Sequence, residues 1–554
     1  MRAVAPTVGS SVGLTGTVAG VSFAAVAVVA ALLGASCGCG DRPADTELHT
    51  VTFAGDTVVG RRMNLFLEKH GTDVPLAGVR DVLSRADLTI VNFESIVGTG
   101  GEMAVKGPWG LVHYRGRPES VGVLTSAGID VASLANNHAL DYGPETLFEG
   151  MEILRRAGIS PVGAGKNLDG SMEPVFHKLG DTVVGVIAVH TTQSRFAATA
   201  DKPGNNFASS KPADAIVERV RQQVARAREH AHVVLLAIHW GGLRARSATK
   251  TQRSLARRFV EEAGVDAVLG SGRHILMGVE VIDGRPIVYD AGNLVIDFAN
   301  SNLSRTSEGR GGIFELRLGR GGVRRLDVTP IALSFCKAEL ATGDLRDEIL
   351  AEFVEDSGKL GTAVALEGGR AVIAIDGRYS PEEPRKPFEP PPRVEPRVPE
   401  PNSYPPKVVV DRVPDSATAR QVGSDAGIEM LGFEMSRVLE KGQGVRLSVY
   451  FRALSPVPES YTVFAEVESQ KPERDRWRGD HTGGGWVYPT NWWKPGQIVR
   501  DTTLVRCPWP PEKIAAGTHK LYIGMRGKRG KVLWDVGGDG PAAERVYLGS
   551  FEVK

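Results

Sequence analysis

Ser133-Leu134-Ala135-Asn136-Asn137-His138-Ala139-Leu140-Asp141-Tyr142-Gly143 is the stretch from which the rest of the chain can be read. The run Ile129–Leu134 ahead of it reads as a short buried strand. Behind it, Pro144 with Glu145 in the first turn opens a helix that continues through Leu147, Met151 and Leu154. Asn136, Asn137, His138 and Asp141 therefore lie in a loop at the carboxyl end of a strand, where open α/β sheets bind ligands. Four ligand-capable side chains in so short a loop are costly there unless something binds them. The other reading is a turn in which the Asn pair takes left-handed positions and the His caps the helix. This stretch alone leaves both open.

Working outward, the same grammar recurs. His49–Ala54 reads as a strand ending at Gly55-Asp56, and Leu88–Phe93 as a strand ending at Glu94. Val74–Ala86 and Glu119–Ala127 read as helices, Thr182–Val189 as an apolar strand, and Ala213–His230 as a long amphipathic helix. His232–Ile238 runs into His239-Trp240-Gly241, Gln252–Ala263 is a helix, and Asp266–Leu269 is a strand ending at Gly270. Hairpins follow around Asp283-Gly284 and Gly319–Gly322. Strands alternating with helices, then hairpins, predict a layered sheet pair flanked by helices, an α/β fold.

Six polar blocks stand in order: Phe53–Asp56, Val91–Glu94, Asn136–Gly143, Ile238–Gly241, Gly270–His274 and Tyr289–Asn293. Together they resemble the signature of the CapA family, the poly-gamma-glutamate capsule synthesis proteins of the calcineurin-like metallophosphatase superfamily. The resemblance covers roughly residues 48–378. It implies a four-layer α/β/β/α metallophosphatase-like sandwich. It implies a divalent metal (Mn, Zn or Fe), one or two ions, with Asp56, Asn137, His239 and His274 as ligands and Glu94 in the place of the bridging carboxylate. It makes His138 the general acid, and Asn92 and Asn293 groups that orient ligands or substrate; Asp141 caps or orients. Carboxylate, amide oxygen and imidazole are donors that such ions accept, and two ions about 3.5–4 Å apart activate a water for phosphoryl chemistry. Plainer roles compete: a core histidine for His239, a turn cap for Asp56, a turn residue for Asn293.

One departure bears on the metal count. Where the family has His-Pro-His, this chain has Gly272-Arg273-His274. Gly272 has no side chain to ligate with, so the expectation is fewer than two tightly held equivalents. Arg244, Arg246 and Arg273 either form a basic rim for an anionic substrate or are solvated surface.

The remaining features bound the class. The 554 residues carry 66 basic and 65 acidic side chains, a net charge of +1, which gives no footprint for nucleic acid. Of four cysteines, Cys336 and Cys507 fall in different predicted domains, so no disulfide framework is expected. Residues 1–40 read as an export signal, with small residues before Cys37 resembling a lipoprotein signal; an uncleaved anchor is the alternative. Either places the rest in the cell envelope, outside the cytoplasm and tethered to the membrane by its N-terminus. Residues 48–378 form the CapA-like domain and 379–407 a Pro-rich linker, with 11 of the 33 prolines in 381–407, read as a spacer that does not pack. Residues 408–554 alternate with period two and predict an all-β sandwich of roughly seven strands. Six of eight tryptophans lie there, either as a stacking surface for an envelope glycan or as core. The functional expectation is an extracytoplasmic protein of capsule biosynthesis, acting as a metal-dependent hydrolase on an anionic extracellular polymer. The alternatives are a polymer-binding scaffold with a degraded metal site, and a general envelope metallophosphoesterase.

Overall fold

A computed structural model of the protein describes residues 47–553 except 107–111, 242–246, 299–302, 377–382, 393–394, 402, 404–406, 438–443, 469–478, 507–513, 515, 529 and 537–540. The export segment with Cys37, together with Arg244, Arg246, Cys507, Trp477 and Trp509, lies outside the described residues. No helix among the described residues is long and apolar enough to cross a membrane.

Two sheets organise the α/β part. In the ten-stranded sheet, His49–Thr57 pairs in parallel with Leu88–Asn92, which pairs in parallel with Val131–Ser133, and that with Ser160–Val162. On its other side, His49–Thr57 pairs antiparallel with Arg310–Gly319, which continues into the long hairpin with Gly322–Ser334. In the six-stranded sheet, Thr182–His190, Val233–His239, Ala267–Ser271 and Arg285–Val288 run parallel. Strand alternation explains the layers. Val51, Phe53, Ile90 and Val131 of the first sheet share one core with Val184, Val186, Leu235 and Leu269 of the second. Ala54, Val91 and Ala132 face the opposite way, onto Leu147, Met151 and Leu154 of the helix Gly143–Arg156. Val183, Ile187 and Leu236 likewise face Ile216, Val220, Leu255 and Phe259 of the helices Ala213–Ala227 and Lys250–Glu261. Strands buried on both faces are mostly apolar along their length, and the polar blocks stand at their ends.

The structure departs from the sequence reading in three places. Only Arg80–Ser84 of the expected helix Val74–Ala86 is helical; Pro75 and Gly78 lie in the stretch that stays open. The helix Arg62–His70 was not anticipated. The Pro-rich stretch is no free spacer. Phe388 packs against Phe176 with ring centroids 5.3 Å apart, Lys386 pairs with Glu229 at 2.7 Å, and the Arg397 amide donates to the Arg156 carbonyl at 2.7 Å.

Beyond residue 408 the described residues form two five-stranded sheets, ten strands where about seven were expected. Their facing sides share one core, with Leu447, Val449 and Phe451 from one sheet and Val463, Leu521 and Ile523 from the other. Trp493 and Trp534 are buried there against Phe451, Trp492 lies under the Arg117 guanidinium at 4.5 Å, and Trp486 is half-buried. Among the described residues no tryptophan is presented as an open stacking platform. Cys336 is a buried free thiol.

This sheet pair packs directly on the α/β part, and residues Glu47–Lys554 make one compact unit. Arg115, buried, donates to the Gly100 carbonyl and to the Gly485 carbonyl, both at 2.7 Å, and lies over the Tyr142 ring at 3.8 Å. Asn64 bridges the Arg115 and Trp486 carbonyls at 2.9 and 3.1 Å. Arg446 pairs with Glu102 and donates to the Met103 carbonyl at 2.9 Å. Removing a buried guanidinium leaves a carbonyl without its donor and a gap over an aromatic face. Arg115→Ala should therefore lower the unfolding free energy by about 2–4 kcal/mol in urea titration; a loss below about 0.5 kcal/mol would show that this contact does not hold the two parts together.

Candidate metal centre

All the parallel strands of both sheets end on one edge, and the side chains there come from both sheets. Asp56, next to last in the strand His49–Thr57, is fully buried. It accepts from Asn92 Nδ2 at 2.7 Å, from the Gly272 amide at 3.2 Å and from His274 Nδ1 at 2.9 Å. Glu94, also buried, faces His239 Nε2 at 3.8 Å, His274 Nδ1 at 3.7 Å and His138 Nε2 at 3.7 Å. Donor atoms of Asp56, Glu94 and His239 lie within 4.8 Å of one another.

The electrostatics are those of a crowded, buried site. Burial, then the Asp56 charge, pushes Glu94 up to about 8. For Asp56, burial is outweighed by His274 and His239, and its acidity is enhanced. His274 is pushed up to about 10 because Glu94 and Asp56 overcome its burial, whereas burial takes His239 down to about 3. Glu94 Oε2 is buried without a hydrogen-bond partner. An orphaned carboxylate oxygen among imidazoles, with no thiolate near, is a donor set that fits a borderline divalent cation.

The other anticipated residues are placed less uniformly. Asn92 orients both Asp56 and His239, its Nδ2 lying 3.1 Å from His239 Nδ1. Asn293 Oδ1 meets His274 Nδ1 at 2.9 Å. Asn137 is joined to this edge through Thr192, whose hydroxyl donates to Asn137 Oδ1 at 3.4 Å. Asp141 stands behind His138, accepting from its Nδ1 at 2.6 Å and from the Tyr114 amide at 2.6 Å. Arg273 is neither rim nor solvated surface. It is buried, and its side chain lies so close over Gly241 that a Cβ there would fall 2.5 Å from Nε.

Asn136, one of the ligand-capable loop residues of the sequence reading, acts as a tether, and three further contributors, Asp290, His190 and Lys106, carried no role in that reading. Asn136 ties the loop down, donating to the Phe93 carbonyl at 3.0 Å and accepting from the amides of His138 and Ala139. Asp290 holds the Gly272–His274 turn by accepting from the Arg273 amide at 2.7 Å. His190 ends the strand Thr182–His190 beside His239; a polar residue closing an apolar strand was the signal available for it. Lys106, from a loop with no pattern of its own, pairs with Asp141 and lies 3.0 Å from His138 Nδ1.

The family model of the bacterial capsule synthesis protein PGA_cap matches residues 50–298. The chain is 28% identical over 334 residues to the PGA biosynthesis protein CapA of Bacillus subtilis, covering 60% of this chain and 83% of that protein. It is 26% identical over 317 residues to the capsule biosynthesis protein CapA of Bacillus anthracis, covering 57% and 75%. Among solved structures, the NAD nucleotidase of Haemophilus influenzae aligns over 57% of this chain and 59% of its own, at 13% identity and a TM-score of 0.28.

Asp141 gives a pH test of the geometry. Burial raises its affinity for a proton, but His138 and Lys106 outweigh this and bring it down to about 2 from the ordinary 3.8. A depressed carboxyl stabilises fully above its unfolded value and loses that contribution as the pH falls through the folded one. Between about pH 4 and pH 2 the protein should therefore lose about 2 kcal/mol that Asp141→Asn does not lose over the same window, measured by urea unfolding. An identical pH slope in both proteins would show that Asp141 is not held as an ion.

Proposed function

We propose, for a chain that belongs through residues 50–298 to the bacterial capsule synthesis protein family, that the strand-tip cluster is a metal-dependent hydrolytic centre acting on an anionic polymer of the cell envelope. The observation that carries this reading is the buried Asp56–Glu94–His239 group with its unpartnered Glu94 oxygen. The two-sheet core with helices on both outer faces supports a four-layer metallophosphatase-like sandwich over residues 48–378. The sheet pair at 408–554 is then an accessory domain, reached through the Pro-rich stretch 379–407. Residues 1–40 remain an export signal or anchor in this proposal, with Cys37 the lipidation site of the first form.

Asp56, Glu94, His239 and His274 would hold the cation, with Asn137 reaching it from the neighbouring loop. A divalent ion so held supplies Lewis acidity and an acidified water. The chain's own groups do the rest. Asn92 fixes the Asp56 carboxylate and the His239 ring at the same time. Asn293 fixes His274. Asp141 takes the Nδ1 proton of His138 as a hydrogen bond, which aims Nε2 at Glu94 and the centre. Burial and the Lys106 charge keep His138 neutral, down to about 4, so Nε2 carries no proton at neutral pH. An anionic substrate group arriving beside Nε2 raises its proton affinity, so that Nε2 takes a proton from solvent water and then gives that proton to the leaving oxygen, returning to the neutral imidazole. Lys106 and Asp141 then act as positioning residues, through the imidazole.

The test is metal content together with hydrolysis. Asp56→Ala should lose the tightly bound metal and all turnover. His138→Ala should keep the metal and lose about 10²–10⁴-fold in rate. Shortening of poly-gamma-glutamate on a gel and release of phosphate from a chromogenic ester separate the polymer reading from a general phosphoesterase. Neither reaction from metal-loaded wild type would leave a polymer-binding scaffold and overturn the hydrolase.

A further inference from the structure

The proposed mechanism takes nothing from the C-terminal sheet pair, yet that pair and the α/β part enclose a cavity of about 460 Å³ between them. Arg61 and Arg62, at the start of the helix Arg62–His70, line it from one side, and Arg506 and Arg526 from the other. Asp480 is the one carboxylate in its wall and pairs with Arg526 at 2.6 Å. Asp297, behind Arg61, stands 3.4 Å from its Nε. Four guanidinium groups thus gather round two carboxylates. Burial pushes Arg506 down to about 10, and the Arg61 charge acts in the same direction, against Tyr142 and Asp141. Like charges gathered in a partly buried place are unfavourable unless an anion joins them. Arg506 and Arg526 lie beyond the residues 50–298 that the family model matches, so half of this cationic wall is not the family's.

The backbone carries a second sign. Arg61 and Trp486, which also lines the cavity, have φ of +55° and +78°. Left-handed backbone is rare for residues with a Cβ and persists where the surroundings impose it, often at ligand sites. The Trp486 carbonyl is held from the helix by Asn64 Nδ2 at 3.1 Å. His274 of the proposed metal centre shares this backbone state.

Two polar atoms of the wall are left over. His113 gives its Nε2 proton to the Ala104 carbonyl at 2.5 Å, which leaves Nδ1 a bare acceptor, buried and without a hydrogen-bond partner. The buried Thr482 hydroxyl is likewise unmatched. Leu65 and Trp486 make part of the wall apolar. A ligand that answers all of this carries several negative charges, an N–H to donate and aliphatic stems between them. Carboxylates on short methylene stems joined by amides have all three features, whereas an inorganic phosphate chain has only the first.

We propose that this cavity binds a segment of an amide-linked polycarboxylate, apart from the metal centre, with Arg61, Arg62, Arg506 and Arg526 as its carboxylate partners. The inference rests on the anionic-polymer reading of the function and gives the C-terminal sheets a part in holding the chain.

The experiment titrates chelator-stripped full-length protein calorimetrically, at low salt, with a γ-linked glutamate oligomer and separately with inorganic tripolyphosphate. The oligomer should bind wild type. Arg62→Gln and Arg526→Gln, both at exposed positions whose loss does not threaten the fold, should each weaken it about tenfold, the worth of one charge-assisted hydrogen bond. Arg156→Gln, an equal loss of charge on the exposed face of the helix Gly143–Arg156, should bind as wild type does. No binding by wild type, or undiminished binding by Arg62→Gln and Arg526→Gln, overturns the inference and leaves the metal reading to its own test. Tripolyphosphate bound more tightly than the glutamate oligomer overturns the polycarboxylate. Binding lost from those two variants, in a protein that shows no turnover when loaded with metal, upholds this site and overturns the hydrolase alone.

Discussion

Two buried carboxylates close to one another set the terms for everything at the strand tips. Asp56 and Glu94 come from adjacent parallel strands of one sheet, and both are buried. Like charges in such a place do not ionise together unless something positive stands between or beside them. Asp56 is relieved by an amide side chain, a backbone N–H and an imidazole, two of which come from the opposite sheet. Glu94 has no comparable relief, and its proton is held far more tightly. The fold therefore delivers one ready anion and one reluctant one, and the packing of the two sheets fixes how near the relieving groups stand.

That packing is a matter of alternation. Val51 and Phe53 point into the shared core while Ala54 points away, so the last residues of the strand are aimed by the register of those before them. The glycines that follow let neighbouring backbone approach. A Cβ on Gly55 would fall 1.9 Å from the Gly292 carbonyl oxygen, and one on Gly270 would fall 2.3 Å from that of Tyr289. The turn at Gly272–His274 is then held from below by Asp290 rather than by its own sequence.

Much of this was legible because the polar residues interrupt apolar strands. Asp56, Glu94, His239 and His274 each close such a run, and the structure brings them together. His190 obeys the same rule, but the strand Thr182–Val189 was read as stopping one residue short of it. Lys106 had no signal at all. It sits in a loop from which it reaches Asp141, a contact remote along the chain. Arg273 looked like surface because charge is all that composition shows; its burial follows from a positive-φ glycine across from it. The Pro-rich stretch misled in the opposite sense, since prolines forbid a backbone ladder but leave Phe388 free to find an apolar neighbour.

Arg115 is followed upstream, one peptide unit away, by Tyr114, whose amide fixes Asp141, and its own guanidinium ends on the Gly485 carbonyl. Two adjacent residues thus connect the C-terminal sheets, through the Gly485 carbonyl, to the carboxylate that orients the His138 ring, so the far module borders the imidazole's support rather than standing apart from it.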